Sequence, residues 1–108
     1  MKKRILFICD GNKDRSPTAE AIFNHKSGIN ARSVGIYDNA IHKVDQKTLD
    51  WSDIIIVMVK AQERFLKRNF VVSKSIYSLG IPDIYDYMDP KLVKRIKNRI
   101  KVLGIKIR

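Results

Sequence analysis

Runs of apolar residues alternate with segments whose apolar residues recur at helical spacing along the 108-residue chain. The apolar runs predict strands at about 4–8, 32–36, 53–59 and 74–79. Helical spacing predicts one helix from residue 16 to before 28, two more at 45–51 and 61–70, and a last one from residue 90. This alternation is typical of an α/β fold with parallel strands.

Capping residues and apolar stripes define the first and last helices more closely. Ser16 is expected to be the N-cap of the first helix, with Pro17 in the first helical position. Asp89 and Pro90 are expected to begin the last helix in the same way. The residues that should face the core are Ala19, Ile22 and Phe23 in the first helix, and Leu92, Val93, Ile96, Ile100 and Leu103 in the last.

Length and composition fit one domain, residues 1–108, with a single buried core. Apolar residues make up 44% of the chain, which excludes a disordered polypeptide. No apolar run approaches the roughly 18 residues of a membrane span, so no membrane partner is expected. The single cysteine cannot form an internal disulfide, and we therefore expect a cytoplasmic location.

The net charge of +11 favours anionic partners, because 22 basic residues face only 11 acidic ones. Much of the excess lies beyond Pro90, where no acidic residue occurs. These basic residues form either a solvated helix face with a basic tail or a surface for nucleic acid, and charge alone does not choose between them. They are Lys91, Lys94, Arg95, Lys97, Arg99, Lys101, Lys106 and Arg108.

The segment that joins the first strand to the first helix carries the candidate chemistry. Its backbone amides and the helix N-terminus would supply positive potential for an anion, which also favours the thiolate form of Cys9. Arg15 can form a planar, bidentate fork to two phosphate oxygens. The sequence therefore predicts a phosphate cradle with a nucleophile at its base, formed by Cys9, Asp10, Gly11, Asn12, Lys13, Asp14, Arg15 and Ser16.

This extended motif resembles that of the low-molecular-weight protein tyrosine phosphatases, in detail a short prokaryotic branch of the family. The likeness covers residues 5–12 and 15–23, continues at 33–36 and 52–58, and ends with the acidic loop that begins at Ile81-Pro82-Asp83. The resemblance implies a three-layer α/β sandwich, in which a four-stranded parallel sheet has helices on both faces and the phosphate-binding loop follows the first strand.

The resemblance also implies a reaction. Cys9 would be the nucleophile that forms a cysteinyl-phosphate, Arg15 the phosphate clamp, and Asp83 the general acid and base. The whole loop from Asp10 to Ser16 would bind phosphate. The substrate would be a phosphorylated protein, chiefly on tyrosine, or a small aryl phosphate, and the reaction needs no metal or other cofactor.

Several alternatives stay open at this point. Asp86 or Asp89 could replace Asp83 as the acid, and Tyr85 and Tyr87 could wall the pocket or pack against the body of the protein. A carboxylate of the loop that pointed inward would repel phosphate. The alternative function is a catalytically weak phosphate- or nucleic-acid-binding module on the same fold. Arsenate reduction is disfavoured, because the chain lacks resolving cysteines.

Overall fold

The computed structural model describes residues 2–107, which form an α/β sandwich around a four-stranded parallel sheet. The strands are β1 (Lys3–Cys9), β2 (Ile29–Gly35), β3 (Ile54–Val57) and β4 (Ile76–Ser78), and the helices are α1 (Arg15–Phe23), α2 (Gln46–Trp51), α3 (Lys60–Asn69) and α4 (Pro90–Val102). The predicted fold class is confirmed.

The sheet has the strand order β2-β1-β3-β4, and each neighbouring pair is parallel. Alternate residues of β1 face opposite layers, as the pleat of a strand requires. Ile5 and Phe7 pack under α1 and α4, whereas Leu6 and Ile8 pack under α2 and α3. All four side chains are fully buried, which explains why β1 is an unbroken apolar run.

Strand order places the candidate loop at a favourable point of the sheet. The chain passes from β1 to β2 on one side, and β3 then returns to the other side of β1. Connections that leave a sheet in opposite directions open a crevice at the carboxyl ends of the strands, where α/β proteins bind ligands. Cys9, the last residue of β1, lies at this crevice.

Helix α1 begins earlier than the sequence predicted. Its first helical residue is Arg15 and its N-cap is Asp14, so the prediction of Ser16 as N-cap is wrong. The Asp14 side chain makes no capping hydrogen bond. The Ser16 hydroxyl is instead buried against the loop, where it contacts Cys9. The Ser16 side chain thus makes a tertiary contact with Cys9, although local preference would place it as the helix cap.

Helix α4 begins as predicted and ends differently. Asp89 accepts a hydrogen bond from the Lys91 amide at 2.8 Å, with Pro90 in the first turn. The predicted inward position of Leu103 is wrong, because this residue follows the helix and is 42% exposed. Gly104 then takes a φ of +66°, which turns the chain back so that Ile105 is buried instead.

Candidate active site

A cavity of about 130 Å³ lies over the end of β1 and the start of α1. The predicted loop supplies most of its wall, and two residues from distant parts of the chain complete it. The lining residues are Cys9, Asp10, Gly11, Lys13, Asp14, Arg15, Tyr37 and Asp83. The structure therefore brings together all three residues for which a catalytic role is predicted, Cys9, Arg15 and Asp83.

Asn12 shapes the loop by taking a left-handed backbone conformation, with φ +54°. Its buried amide group fixes this turn, because Nδ2 donates to Ser16 Oγ at 3.0 Å and to Ser33 Oγ at 2.9 Å. The amide oxygen accepts from the backbone N–H of His42 at 3.1 Å. The neighbouring Gly11 does not take positive φ.

The backbone amides of the loop are available to an anion. Within the part of the chain that the structure describes, the N–H groups of residues 11–15 donate to no protein acceptor. The first turn of α1 adds the positive end of its helix dipole at the same place. Such an arrangement of N–H groups at a helix N-terminus suits an anion.

Ser16 and Cys9 are in direct contact at the base of the cavity. Their Oγ and Sγ atoms are 3.0 Å apart, and both side chains are buried. The Ser16 hydroxyl also has the Val34 carbonyl 3.3 Å away and receives a hydrogen bond from Asn12. Because Asn12 already donates to it, Ser16 can direct its own hydrogen at a Cys9 thiolate, which stabilises the charged sulfur.

Arg15 is held between three oxygen atoms and is only 2% exposed. Its Nη1 donates to the carbonyl of Ile81 at 2.9 Å, and its Nη2 donates to Asp10 Oδ2 at 3.2 Å. Asp83 Oδ1 lies 3.7 Å from Nε. The inward-pointing loop carboxylate considered in the sequence analysis is therefore present, and it belongs to Asp10.

The three candidate acids, Asp83, Asp86 and Asp89, lie in different surroundings. The Asp83 side chain is 60% exposed and lines the same cavity as Cys9. Asp89 is occupied as the N-cap of α4. Asp86 is exposed and does not line this cavity. Of these three carboxylates, Asp83 alone lines the cavity above Cys9 and keeps a largely exposed side chain.

The two tyrosines of the acidic loop face different surroundings. Tyr85 is half-buried and packs against the core beneath α1 and α4. Tyr87 is 52% exposed and lines a neighbouring cavity that it shares with Lys13 and Pro17. Neither lines the cavity above Cys9; the aromatic residue there is Tyr37, which follows β2 and was not identified from the sequence.

Gln62 is a second residue that sequence reasoning missed. It is fully buried in the first turn of α3, and its Nε2 donates to Asp10 Oδ1 at 3.0 Å. Its Oε1 accepts from the backbone N–H groups of Met58 and Val59 at 2.8 and 3.0 Å. A polar residue in the N3 position of a helix is an ordinary capping signal, so nothing local marked its contact with the loop.

Charged groups around the mouth are paired in part. Asp38, which follows Tyr37, forms an ion pair with Lys43 that holds the pKa of its carboxyl below the usual range.

Residues 2–107 contain no cluster of three or more His, Cys, Asp or Glu side chains suited to a metal ion. Among the same residues, no helix is both long and apolar enough to cross a membrane.

Comparison with known proteins agrees with this geometry. Residues 4–50, which include the whole cradle, match the family model described as low molecular weight phosphotyrosine protein phosphatase. Curated protein sequences give no match. Solved structures of the same fold match over almost the whole chain.

Three solved structures illustrate the likeness. A low-molecular-weight protein tyrosine phosphatase from T. tengcongensis has a TM-score of 0.71 at 22% identity, over 95% of this chain and 96% of that chain. The tyrosine phosphatase Wzb from Escherichia coli K30, in complex with phosphate, has a TM-score of 0.68 at 20% identity over 100% of both chains. The YwlE arginine phosphatase from Geobacillus stearothermophilus has a TM-score of 0.62 at 19% identity, over 94% of this chain and 93% of that chain.

The predicted resemblance to the low-molecular-weight protein tyrosine phosphatases is thereby confirmed. The family model covers the strand, cradle and first helix, and solved bacterial members share the fold of the chain.

Proposed function

We propose that the chain is a phosphomonoester hydrolase, a protein tyrosine phosphatase that acts through a cysteinyl-phosphate. The observation that carries the proposal is the position of Cys9 at the base of a cavity that Arg15 and Asp83 also line. The family match at residues 4–50 supports an enzyme over the alternative of a weak binding module.

In the first step, the Cys9 thiolate attacks phosphorus in line with the leaving oxygen. A sulfur–phosphorus bond forms while the bond from phosphorus to the leaving oxygen breaks. Arg15 and the amides of the loop stabilise the negative charge on the equatorial oxygens. Asp83 gives its proton to the leaving phenolate, so that a neutral alcohol departs.

In the second step, water hydrolyses the cysteinyl-phosphate. Asp83, now a carboxylate, takes a proton from the attacking water, whose oxygen forms a bond to phosphorus. The sulfur–phosphorus bond breaks and the thiolate returns. Ser16 stabilises this thiolate as leaving group through the contact of 3.0 Å between Oγ and Sγ.

Substrate preference follows from the small cavity and the ring at its mouth. A cavity of about 130 Å³ accepts a phosphate group, and Tyr37 can pack against the aromatic ring of a phosphotyrosine. Phosphorylated protein and small aryl phosphates are the proposed substrates, and no observation supports nucleic acid in this role.

We also propose a cytoplasmic location, since Cys9 must stay reduced to act.

The test is hydrolysis of p-nitrophenyl phosphate by wild type, Cys9→Ser and Asp83→Asn, with Asp86→Asn as the matched control. Cys9→Ser should abolish turnover, and Asp83→Asn should lower kcat by about 10²–10⁴-fold because the leaving group loses its proton donor. Asp86→Asn removes the same charge from the same loop and should change kcat by less than about threefold.

Two results would contradict parts of this scheme. Full activity in Cys9→Ser would exclude the cysteinyl-phosphate. A large loss in Asp86→Asn with none in Asp83→Asn would exchange the roles of these two carboxylates. Peptides carrying phosphotyrosine and phosphoarginine, assayed side by side, would define the substrate class, because one structural neighbour is described as an arginine phosphatase.

A further inference from the structure

Asp10 forms an ion pair with Nη2 of Arg15, one of the nitrogen atoms that could bind a phosphate oxygen. We infer, on the basis of the proposed function, that this carboxylate competes with phosphate for Arg15. It thereby lowers the affinity of the cradle for phosphate and assists the release of inorganic phosphate after each turnover. Its partner Gln62 is the positioning residue that holds the competing carboxylate in place.

The contacts of Arg15 give the first argument. Nε and Nη2 lie on one edge of the planar guanidinium, and this edge is one of two that can bind two oxygens of an anion. Asp10 Oδ2 lies 3.2 Å from Nη2, and Asp83 Oδ1 lies 3.7 Å from Nε. The third nitrogen, Nη1, already donates to Ile81. A phosphate that binds at this edge must therefore displace Asp10 from Nη2 or share Nη2 with it.

The carboxylates of Asp10 and Asp83 differ in how firmly hydrogen bonds and burial hold them beside Arg15. Asp83 is 60% exposed, and its 3.7 Å separation from Nε is too long for a good hydrogen bond. Asp10 is 26% exposed, and each of its two oxygens accepts a hydrogen bond. Asp10 is therefore the stronger competitor, and Asp83 is free to act on the leaving group.

Gln62 determines where Asp10 points. Two backbone N–H groups donate to Oε1, so the orientation of the side-chain amide is fixed and Nε2 must face Asp10. Its donor favours an acceptor oxygen on Asp10, and its complete burial prevents the pair from swinging away. The carboxylate is thus built into the wall of the cavity.

The negative charge of Asp10 should lower the affinity of the site for phosphate. A buried arginine that already faces a carboxylate has part of its charge neutralised, and the carboxylate repels a phosphate dianion that approaches it. Both effects weaken binding of substrate and of inorganic phosphate. As phosphate leaves, Asp10 can return to Nη2, so that Arg15 does not remain buried without a counterion.

The experiment measures the dissociation constant of inorganic phosphate by calorimetry for wild type, Asp10→Ala and Asp38→Ala, beside hydrolysis of p-nitrophenyl phosphate. Asp38 is the matched control, since its carboxylate is also paired with a cation, Lys43, but does not line the cavity. Asp10→Ala should bind phosphate at least about tenfold more tightly than wild type, and Asp38→Ala should differ by less than about threefold. Asp10→Asn, which keeps the size of the side chain, should also bind more tightly.

The outcomes separate this inference from the proposed function. Unchanged or weaker phosphate binding in both Asp10 variants would overturn the inference, and hydrolysis by wild type would then leave the proposed function standing. An equal gain in Asp38→Ala would also overturn it, because the removal of any nearby negative charge would then explain the gain. Tighter binding in Asp10→Ala without hydrolysis by wild type would support the competition and contradict the proposed phosphatase.

Discussion

At the scale of single residues, Ser16 links the Cys9 sulfur to Asn12 of the loop. Its hydroxyl has one hydrogen, with Cys9 Sγ at 3.0 Å and the Val34 carbonyl at 3.3 Å as acceptors. When Cys9 is a thiol, it can donate to Ser16, which then donates to Val34. When Cys9 is a thiolate, Ser16 can turn its hydrogen toward the sulfur. The same side chain therefore has a partner in either state.

Gly35 lies so close to the loop that a side chain at this position would clash with it. A Cβ atom there would lie 2.5 Å from the Asp10 carbonyl oxygen and 2.8 Å from the Asn12 amide nitrogen. Both neighbours are backbone atoms of the loop, which cannot move aside without distorting it. We expect Gly35→Ala to lower the free energy of unfolding by about 1–3 kcal/mol and to lower kcat/KM in the fraction that remains folded.

Gly28→Ala is the control for Gly35→Ala. Gly28 has a φ of +82° but no neighbour within 4 Å of an added Cβ, so the substitution strains the backbone away from the cradle. It should lower stability by about 1–2 kcal/mol and leave kcat/KM unchanged. Urea unfolding and p-nitrophenyl phosphate assays of both variants check this, and full activity in Gly35→Ala would contradict it.

At the scale of elements, the positions of strands and helices were predictable and their ends were less so. The unbroken apolar residues of β1 and the helical stripe of α4 give strong local signals, and both elements occur where they were expected. The beginning of α1 was misplaced, because Ser16 contacts Cys9 and Asp14 becomes the N-cap. A contact between neighbouring layers overrides local preference at such a boundary.

Helix α2 depends on its N-cap, since it has only six residues. Asp45 accepts a hydrogen bond from the Thr48 amide at 2.7 Å, and the Thr48 side chain returns a contact to Asp45. We expect Asp45→Ala to lower the free energy of unfolding by about 1 kcal/mol at neutral pH. Lys47→Ala, in the same helix but without a capping role, is the control. Equal losses in both variants would show that the cap is unimportant.

The contribution of this cap should depend on pH. Hydrogen bonds from the Thr48 side chain and then from its backbone hold the pKa of Asp45 below its ordinary value of 3.8. The stabilisation is therefore complete above pH 3.8 and is lost as the pH falls through the lower pKa of the folded chain. The stability difference between wild type and Asp45→Ala should shrink over this acidic range. Denaturant titrations at several pH values measure it, and a constant difference would contradict the expectation.

At the scale of the whole molecule, charge is distributed unevenly. Asp10, Asp14 and Asp83 line the cavity, although the net charge is +11. Much of the positive charge lies on the outer face of α4, where the exposed cations have no carboxylate partner within the described residues. These cations are Lys91, Lys94, Arg95, Lys97 and Lys101. The exposed cations of α4 should therefore add a long-range attraction for a phosphate dianion to the local attraction of Arg15, Lys13 and the loop amides.

Salt should reveal this long-range attraction. The molecule measures 33 × 32 × 23 Å, and the screening length falls from about 30 Å at 0.01 M salt to about 10 Å at 0.1 M. We expect kcat/KM for p-nitrophenyl phosphate to fall as salt is raised, with kcat unchanged. The triple variant Lys94→Gln, Lys97→Gln, Lys101→Gln should show a weaker dependence on salt. The same three positions changed to arginine should retain the wild-type slope, and a common slope for all three proteins would contradict this account.

The sequence by itself determined the order of strands and helices and the cradle, because these depend on residues that are neighbours in the chain. Cys9, Arg15 and Ser16 are joined by one strand, one loop and one helix, so their spacing alone indicated an anion site. Only the tertiary structure decided what surrounds that site. The Arg15–Ile81 bond spans 66 positions and the Asp10–Gln62 bond spans 52, and no local pattern encodes such contacts. They arise because parallel strands bring their carboxyl ends, and the loops that follow, to one edge of the sheet.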